Sequence, residues 1–436
     1  MRAPAGGSPP ATDGGSRATS PGRSVGDAAI GRCDANRARP YTPLAMTARH
    51  DLAPIPPGAT IGILGGGQLG RMLGFAARAM GYRVSVLDPD PDCPAAAVAD
   101  RVVPAPYDSV QGAVELARGC AVVTYELEHV DAALVDAVEA AGVPVRPGAS
   151  ALRMTQDRLA ERRFVTGLGI ATAPGREVTD EAGLRAAVAD LGLPLRLKAP
   201  IGGYDGRSQV RIVAPDEIPG ALAQLGRPPG TSLLVERELD FAAELSVITA
   251  RALDGTLAAF PIARNRHDAG ILVESVAPAP VDAVVTEAAA TLGARVVATL
   301  GAVGLVTAEP FLLRDGSLVV NELAPRVHNS GHWTIEGART SQFEQHVRAI
   351  CGLPLGDPAA HGPAATVNLL GTGELREARL VGVEAALADP RVHLNVYDKR
   401  RVFERRKMGH LTIAGAAGVD EALAGARAAL AKLRWA

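Results

Sequence analysis

Glu309 and Glu322 sit inside two apolar runs, Gly304 to Leu313 and Ser317 to Leu323, on either side of an Asp315-Gly316 pair. An Asp-Gly dipeptide between such runs predicts a two-residue hairpin loop. Counting outward from it, Leu313 faces Leu318, Phe311 faces Val320, and Glu309 faces Glu322. Facing side chains lie ~4.5 to 5.5 Å apart at Cβ, so two carboxylates placed there repel. Four apolar neighbours on the same face predict that it is largely buried, and a proton or a cation must then offset the pair. Mg²⁺ shared between carboxylates and nucleotide phosphates meets that demand. Asn321, next to Glu322, offers one more oxygen. The bland alternative leaves one glutamate in solvent at a frayed strand end.

Other stretches carry groups suited to phosphate. Gly202-Gly203-Tyr204-Asp205-Gly206-Arg207 follows Lys198. Its glycines let backbone N–H groups approach phosphate oxygens, and the lysine supplies a cation. No GK[ST] follows, so it is not a Walker A loop, and alone it reads equally well as a Gly/Asp hairpin turn. Gly65-Gly66-Gly67-Gln68-Leu69-Gly70-Arg71 is expected to leave a strand and open a helix, whose N-terminus attracts anions. Asp88 lies near the ~20-residue spacing of a ribose-binding acid, which makes an NAD-dependent oxidoreductase the rival reading. That rival leaves the carboxylate hairpin unexplained.

Directly after Glu322, Pro325 to His332 crowds polar groups beyond a buried strand. There Arg326 is placed to grip an oxyanion bidentately and His328 to bond or transfer a proton, while His332 reads as structural. Tyr397 to His410 contains Lys399, Arg400, Arg401, Arg405, Arg406 and Lys407. Such a run is either a solvated face or a grip on a sugar phosphate.

These groups need elements to hold them. From Ala59 onward, short apolar strands (Ile61 to Leu64, Arg83 to Leu87, Ala121 to Thr124) alternate with helical stretches such as Gln68 to Met80, which predicts a parallel sheet. Thr155 to Gly192 reads as helical pieces. Short segments at Leu195 to Lys198, Leu233 to Glu236, Glu244 to Ala250 and Leu257 to Pro261 predict antiparallel sheet. A helix over Val281 to Leu300 precedes the hairpin, and an Ala-rich helix, Glu421 to Leu433, ends the chain.

A length of 436 residues calls for two to three domains. The formal charge of -2 and 3% aromatic content argue against nucleic-acid binding. No run reaches the ~18 to 20 apolar residues of a membrane span, so a soluble protein is expected. Cys33, Cys93, Cys120 and Cys351 form no CxxC pair, as expected of reduced thiols in a cytoplasm. Residues 1 to about 57 lack apolar periodicity and are expected to be a disordered, dispensable tail, with Met46 a candidate start.

Together these motifs resemble the N5-carboxyaminoimidazole ribonucleotide synthetase family, ATP-grasp enzymes of purine biosynthesis. The resemblance runs over roughly residues 59 to 415 and is carried by GGGQLGRM (Gly65 to Met72), VTYELEHV (Val123 to Val130), TQDRL (Thr155 to Leu159), GGYDGR (Gly202 to Arg207), NELAPRVHNSGHWT (Asn321 to Thr334) and KMGHL (Lys407 to Leu411). It implies a mixed α/β and α+β fold in four parts. These are an extension over 1–57, a Rossmann-like pre-ATP-grasp domain over 58–154, an ATP-grasp domain over 155–352 with a lid near 180–240, and a small β-rich domain over 353–436.

The same resemblance implies ATP- and bicarbonate-dependent carboxylation of 5-aminoimidazole ribonucleotide through carboxyphosphate, giving ADP and phosphate. By carry-over, Arg158, Lys198, Gly202, Gly203, Tyr204, Asp205, Gly206, Glu236, Leu239, Glu244 and His267 contact ATP. Glu309 and Glu322 hold Mg²⁺, or Mn²⁺ in its place, with Asn321 beside them. Gln68, Leu69 and Glu126 meet the ribonucleotide, and Lys399, Arg406 and Lys407 its phosphate. Tyr204, Arg326, His328 and Asn329 handle bicarbonate and carboxyphosphate, with Lys399 at the reacting end. A homodimer, a cytoplasmic location and a separate mutase for the next step are also implied.

Two stretches depart from the family pattern. Ala199-Pro200-Ile201 stands where basic residues are often found, and Phe403-Glu404-Arg405 replaces a Pro-Gly turn. The first predicts a weaker grip of the lid on triphosphate. The second leaves open which arginine meets the substrate phosphate.

Overall fold

The structure is a computed structural model, and it describes residues 53–202, 208–228 and 230–436. The expected extension therefore lies almost wholly outside the described residues, as do Gly203, Tyr204, Asp205 and Gly206. Four strands, β1 (Thr60–Leu64), β2 (Arg83–Asp88), β3 (Arg101–Pro104) and β4 (Val122–Tyr125), form a parallel sheet in the order β3-β2-β1-β4. Helix α1 (Gln68–Ala79) leaves β1 through the glycine loop. The apolar runs of β1, β2 and β4 are buried on both faces, as strands of a parallel sheet covered on both sides must be.

A second, antiparallel sheet has the order β5-β8-β6-β7. Its strands are β5 (Gly175–Val178), β6 (Leu195–Lys198), β7 (Gln209–Ile212) and β8 (Leu233–Arg237). Strand β5 lies in the stretch that reads as helical pieces. Helix α2 (Arg158–Gly167) precedes it, opened by Asp157, whose carboxylate accepts the Leu159 and Ala160 N–H groups.

The third sheet is antiparallel and has nine strands. It comprises β9 (Phe241–Arg251), β10 (Leu257–Ala259), β11 (Ala263–Asp268), β12 (Ile271–Ala277), β13 (Gly304–Leu313), β14 (Leu318–Ala324), β15 (Ala364–Leu370), β16 (Val392–Val396) and β17 (Lys407–Ala414). The order is β14-β13-β9-β11-β12-β15-β17-β16, with β10 paired to β9. Strands β15 to β17 thus continue the same sheet, β15 pairing directly with β12. Helix α3 (Ala283–Leu300) is long and apolar enough to cross a membrane, yet it lays Val285, Ala289, Leu292, Val296 and Val297 into a core with Leu245 and Val247. Helix α4 (Gln342–Ile350) packs Phe343, Val347 and Ile350 beneath α1 and β13.

Candidate active site

The two hairpin glutamates do face each other, but by a different path. Leu313 N–H donates to Ser317 O at 2.9 Å, which closes a three-residue loop with Gly316 at φ +86°. That shifts the ladder by one: Leu312 faces Leu318, Phe311 faces Val319 and Pro310 faces Val320. The expected Leu313–Leu318 and Phe311–Val320 pairs are therefore incorrect. A bulge between Glu309 and Pro310 then takes up the slip, and Glu309 meets Glu322. Pro310 has no N–H to give a regular ladder, so the irregularity falls where it costs least. The extra residue is Asn321.

That bulge aims two consecutive residues into one cleft. Asn321 Oδ1 lies 3.4 Å from Lys198 Nζ, and Glu322 Oε2 lies 3.4 Å from an Arg158 amino group. Glu309's side chain is 12% exposed and Glu322's 40%, so only Glu309 is as buried as the strand pattern predicts. Burial, then the facing Glu322 charge, pushes Glu309 well above the usual carboxylate range. Among the described residues no cluster of three or more His, Cys, Asp or Glu side chains could hold a metal alone. Two carboxylates and a carboxamide oxygen suit a hard cation that also takes oxygens from a phosphate.

Cations flank this pair. Lys198 Nζ, at the end of β6, sits 2.6 Å from Glu236 Oε2 on β8, and Arg162 reaches the other oxygen of the same carboxylate. Burial works against ionisation there, but Lys198 and Arg162 hold Glu236 below its ordinary pKa. Glu161, buried behind Glu322, is pushed up to about 8 by burial and by that neighbour. Across the sheet, His267 Nδ1 and Glu244 Oε2 meet at 2.5 Å. Leu239 is half-buried in the link from β8 to β9, and Gly202 (φ +88°) ends the first described stretch.

On the far side of Glu309 lies the segment after β14. His328 Nδ1 accepts the Ser330 N–H at 3.3 Å and also meets Ser330 Oγ at 2.8 Å, and its Nε2 lies 3.7 Å from Glu309 Oε2. An amide can only donate, so the neutral ring carries its proton on Nε2, facing the glutamate. Burial, then the charges of Arg326 and Lys407, push His328 well below its ordinary pKa. Arg326 Nε is bonded to Glu128, and an Nη1 hydrogen goes to Val327 O at 3.0 Å. Its Nε edge is thus committed, and in this arrangement it cannot serve for a bidentate grip on an oxyanion. Asn329 exchanges two hydrogen bonds with Asn368, at 3.1 and 2.7 Å, so its carboxamide is likewise engaged.

The glycine loop is not an open anion site. Glu126 Oε1 accepts Gly67 N–H and Oε2 accepts Gly70 N–H, each at 3.0 Å, so a carboxylate of the chain itself caps α1. Leu69 is buried in the core, while Gly67, Gln68 and Arg71 are partly open. Asp88 accepts from Gly66 N–H (2.9 Å), Asp90 N–H (2.9 Å) and Tyr107 Oη–H (2.6 Å). Fully bonded within the fold, it is not poised for a ribose, and the dinucleotide reading loses its acid.

The basic run divides. Arg400 pairs with Asp92 (2.7 Å) and Arg405 with Asp268 (2.9 Å), which are exposed structural ties. Lys399 Nζ donates to Lys407 O at 2.8 Å and lies over the Tyr397 ring, and its charge acts on Glu126. Arg406 lies over the Phe403 ring and bonds Arg401 O at 2.5 Å. Lys407 acts on His328.

A ribonucleotide synthetase preATP-grasp domain matches residues 58–156, an ATP-grasp domain 163–343, and a phosphoribosylaminoimidazole carboxylase C-terminal domain 364–423. The N5-carboxyaminoimidazole ribonucleotide synthase of Brucella melitensis biotype 1 is 42% identical over 83% of this chain and 98% of its own length. That of Bacillus subtilis is 42% identical over 82% and 91%. The chain belongs to the N5-carboxyaminoimidazole ribonucleotide synthetase family. A synthase of this family from Aspergillus clavatus, solved with ADP and 5-aminoimidazole ribonucleotide, superposes with a TM-score of 0.78 at 32% identity, covering 86% of this chain and 98% of that one. An ADP complex of a family synthetase gives 0.79 at 36% identity, over 86% and 97%.

Within this member of the synthetase family, several site neighbours escape sequence reasoning. Arg162 and Glu161 lie on α2, one turn from Arg158, and only the helical spacing hints at them. Asn368 and Gln342 are distant in sequence and carry no local signal.

Proposed function

We infer that the chain joins CO₂ to the exocyclic amine of 5-aminoimidazole ribonucleotide, consuming ATP and bicarbonate in purine biosynthesis. Bicarbonate oxygen attacks the γ-phosphorus and ADP leaves. The carboxyphosphate formed releases CO₂ and phosphate, and the amine nitrogen bonds to the carbon with loss of a proton. The observation that carries this reading is the Glu309–Glu322 pair between two sets of groups, Lys198 and Arg158 on one side and Arg326 and His328 on the other.

In this reading Arg158, Lys198, the Gly202 to Gly206 loop, Glu236, Leu239, Glu244 and His267 contact ATP. Glu309, Glu322 and Asn321 hold Mg²⁺, or Mn²⁺, which when bound neutralises charge on the phosphoryl oxygens. His328, neutral and with Nε2–H outward, hydrogen-bonds the carboxyphosphate oxygens. The family resemblance assigns Tyr204 and Asn329 to bicarbonate and carboxyphosphate as well. Gln68, Leu69 and Glu126 meet the ribonucleotide, and Lys399, Arg406 and Lys407 its phosphate. Shielding of the labile intermediate from water suits a loop that closes. The protein acts in the cytoplasm as a homodimer, and a separate mutase takes the product.

Steady-state ADP release tests the reading. It is expected only when bicarbonate and 5-aminoimidazole ribonucleotide are both supplied. Release with formate and glycinamide ribonucleotide instead would replace it with a neighbouring ligase activity.

A further inference from the structure

His328 lies just past the end of β14, in a segment whose backbone has left the sheet. Its N–H donates to Gln342 Oε1 at 2.9 Å, and Gln342 Nε2–H donates to His328 O at 2.7 Å. One carboxamide thus bonds both main-chain groups of His328, as a neighbouring strand would. Gln342 is 0% exposed at the first turn of α4, and its own N–H is held by Thr334 Oγ1 at 2.9 Å. Gly331 closes over it: a Cβ there would lie 2.7 Å from Gln342 Cδ, so a glycine is needed to admit the amide.

We propose that Gln342 is the positioning residue for His328, fixing that backbone so the imidazole Nε2 points at the Glu309 side of the site. It rests on the function inferred above. With the backbone fixed, the Ser330 N–H reaches Nδ1 and leaves the proton on Nε2.

The fold supplies a matched control. Gln345, on the same helix and also 0% exposed, makes the same double clamp on a different residue: Nε2–H to Gly356 O at 2.9 Å and Gly356 N–H to Oε1 at 2.7 Å. Gly356 packs on Thr340, and neither glutamate is among its near neighbours. Gln342→Met and Gln345→Met therefore each remove one two-bond clamp from the same helix, Gln342→Met also removing a 3.5 Å contact from Gln342 Nε2 to His332 Nδ1.

The experiment compares Gln342→Met, Gln345→Met, His328→Ala and the pairwise doubles in the full chain. Thermal unfolding is expected to fall similarly in both Met variants. Turnover at saturating substrates is expected to fall on the order of 10²-fold in Gln342→Met alone, as for a misplaced group at a reacting centre. The KM for ATP should stay within about twofold, and in the His328→Ala background Gln342→Met should add under about twofold. Equal turnover in the two Met variants, or losses that multiply in the double, would overturn the proposal. Should wild type show no bicarbonate-dependent ADP release, the inferred function fails, and the clamp is judged by ¹⁵N NMR of histidine-labelled protein. The His328 resonance, assigned by its loss in His328→Ala, should lose its Nε2–H signature in Gln342→Met and keep it in Gln345→Met. Retention in both sinks the idea.

Discussion

Glu126 and Gly67 are in direct contact, the carboxylate accepting the loop N–H at 3.0 Å, although 59 residues separate them. A Cβ on residue 67 would lie 2.6 Å from Glu126 Oε1 and 3.2 Å from its Cδ. Gly67→Ala therefore displaces the carboxylate from the N-terminus of α1. If Glu126 meets the ribonucleotide, the KM for 5-aminoimidazole ribonucleotide should rise about tenfold, equivalent to ~1.4 kcal/mol of binding. The KM for ATP should change little, because Lys198 and Glu309 are untouched. Initial rates over both substrates decide it, and equal rises in the two KM values would refute this placement.

The glutamate pair predicts a split between stability and binding. At neutral pH, buried Glu309 is disfavoured as an anion by burial and by Glu322. Glu309→Gln removes that repulsion, so the unliganded variant should melt no lower than wild type. It should lose the rise in melting temperature that Mg²⁺ and ATP bring, a stabilisation of about 2.7 kcal/mol at a hundredfold excess over Kd. Glu322→Gln should lose it as well. Thermal melts with and without Mg·ATP read both effects, and a retained Mg·ATP shift in either variant would remove that residue from the metal site.

Arg326 and Glu128 form a largely buried ion pair beside the site. Burial alone raises the Glu128 pKa, but Arg326 overrides it and holds the carboxyl down to about 2. Glu128→Gln leaves a buried guanidinium without its counter-charge and should cost about 3 kcal/mol at neutral pH. A depressed carboxyl pKa stabilises above the unfolded value of 4.5, and that stability drains as pH falls toward about 2. The gap between Glu128→Gln and wild type should therefore narrow below about pH 4.5 in denaturant titrations. A constant gap would mean that the pair does not set the carboxyl's charge.

How far the sequence carried this picture is clearest in the hairpin. The pairing of Glu309 with Glu322 was legible even though the loop length and the straight ladder were not. The longer loop shifts the register by one, and the bulge at Asn321 shifts it back. A bulge has little local signal beyond Pro310, so the flanking pairs were misread. The glycine loop shows the opposite case: its glycines signal close approach, but nothing nearby says that the approaching group is Glu126. Strand β5 escaped because Gly175–Val178 offers no apolar alternation and sits between helices. Side-chain clamps such as Gln342 on His328 depend on tertiary placement, which no spacing encodes.

His346 couples the parallel sheet to the site-bearing sheet, and that coupling should fail in acid. Its Nδ1 accepts Leu305 N–H at 3.1 Å on β13, and its Nε2 meets Thr124 Oγ1 at 2.8 Å on β4. The amide fixes the proton on Nε2, so a second proton would have to displace the Leu305 bond. Burial pushes His346 down to about 3, from 6.5 in the unfolded chain. The unfolded state thus binds the proton first. Stability is whole above about pH 6.5 and falls as pH drops toward 3, by up to ~1.4 kcal/mol per unit for this group. His410, bonded to Tyr397 Oη at 2.8 Å and also pushed to about 3, adds an equal slope. His346→Gln should therefore be less stable than wild type at pH 7.5 and lose one histidine's share of the slope between pH 6 and 4 (roughly 1.4 kcal/mol per unit). Urea midpoints across that range measure it. An unchanged slope would mean that His346 titrates as it does in the unfolded chain, and the joint would not be the closed, neutral contact described above.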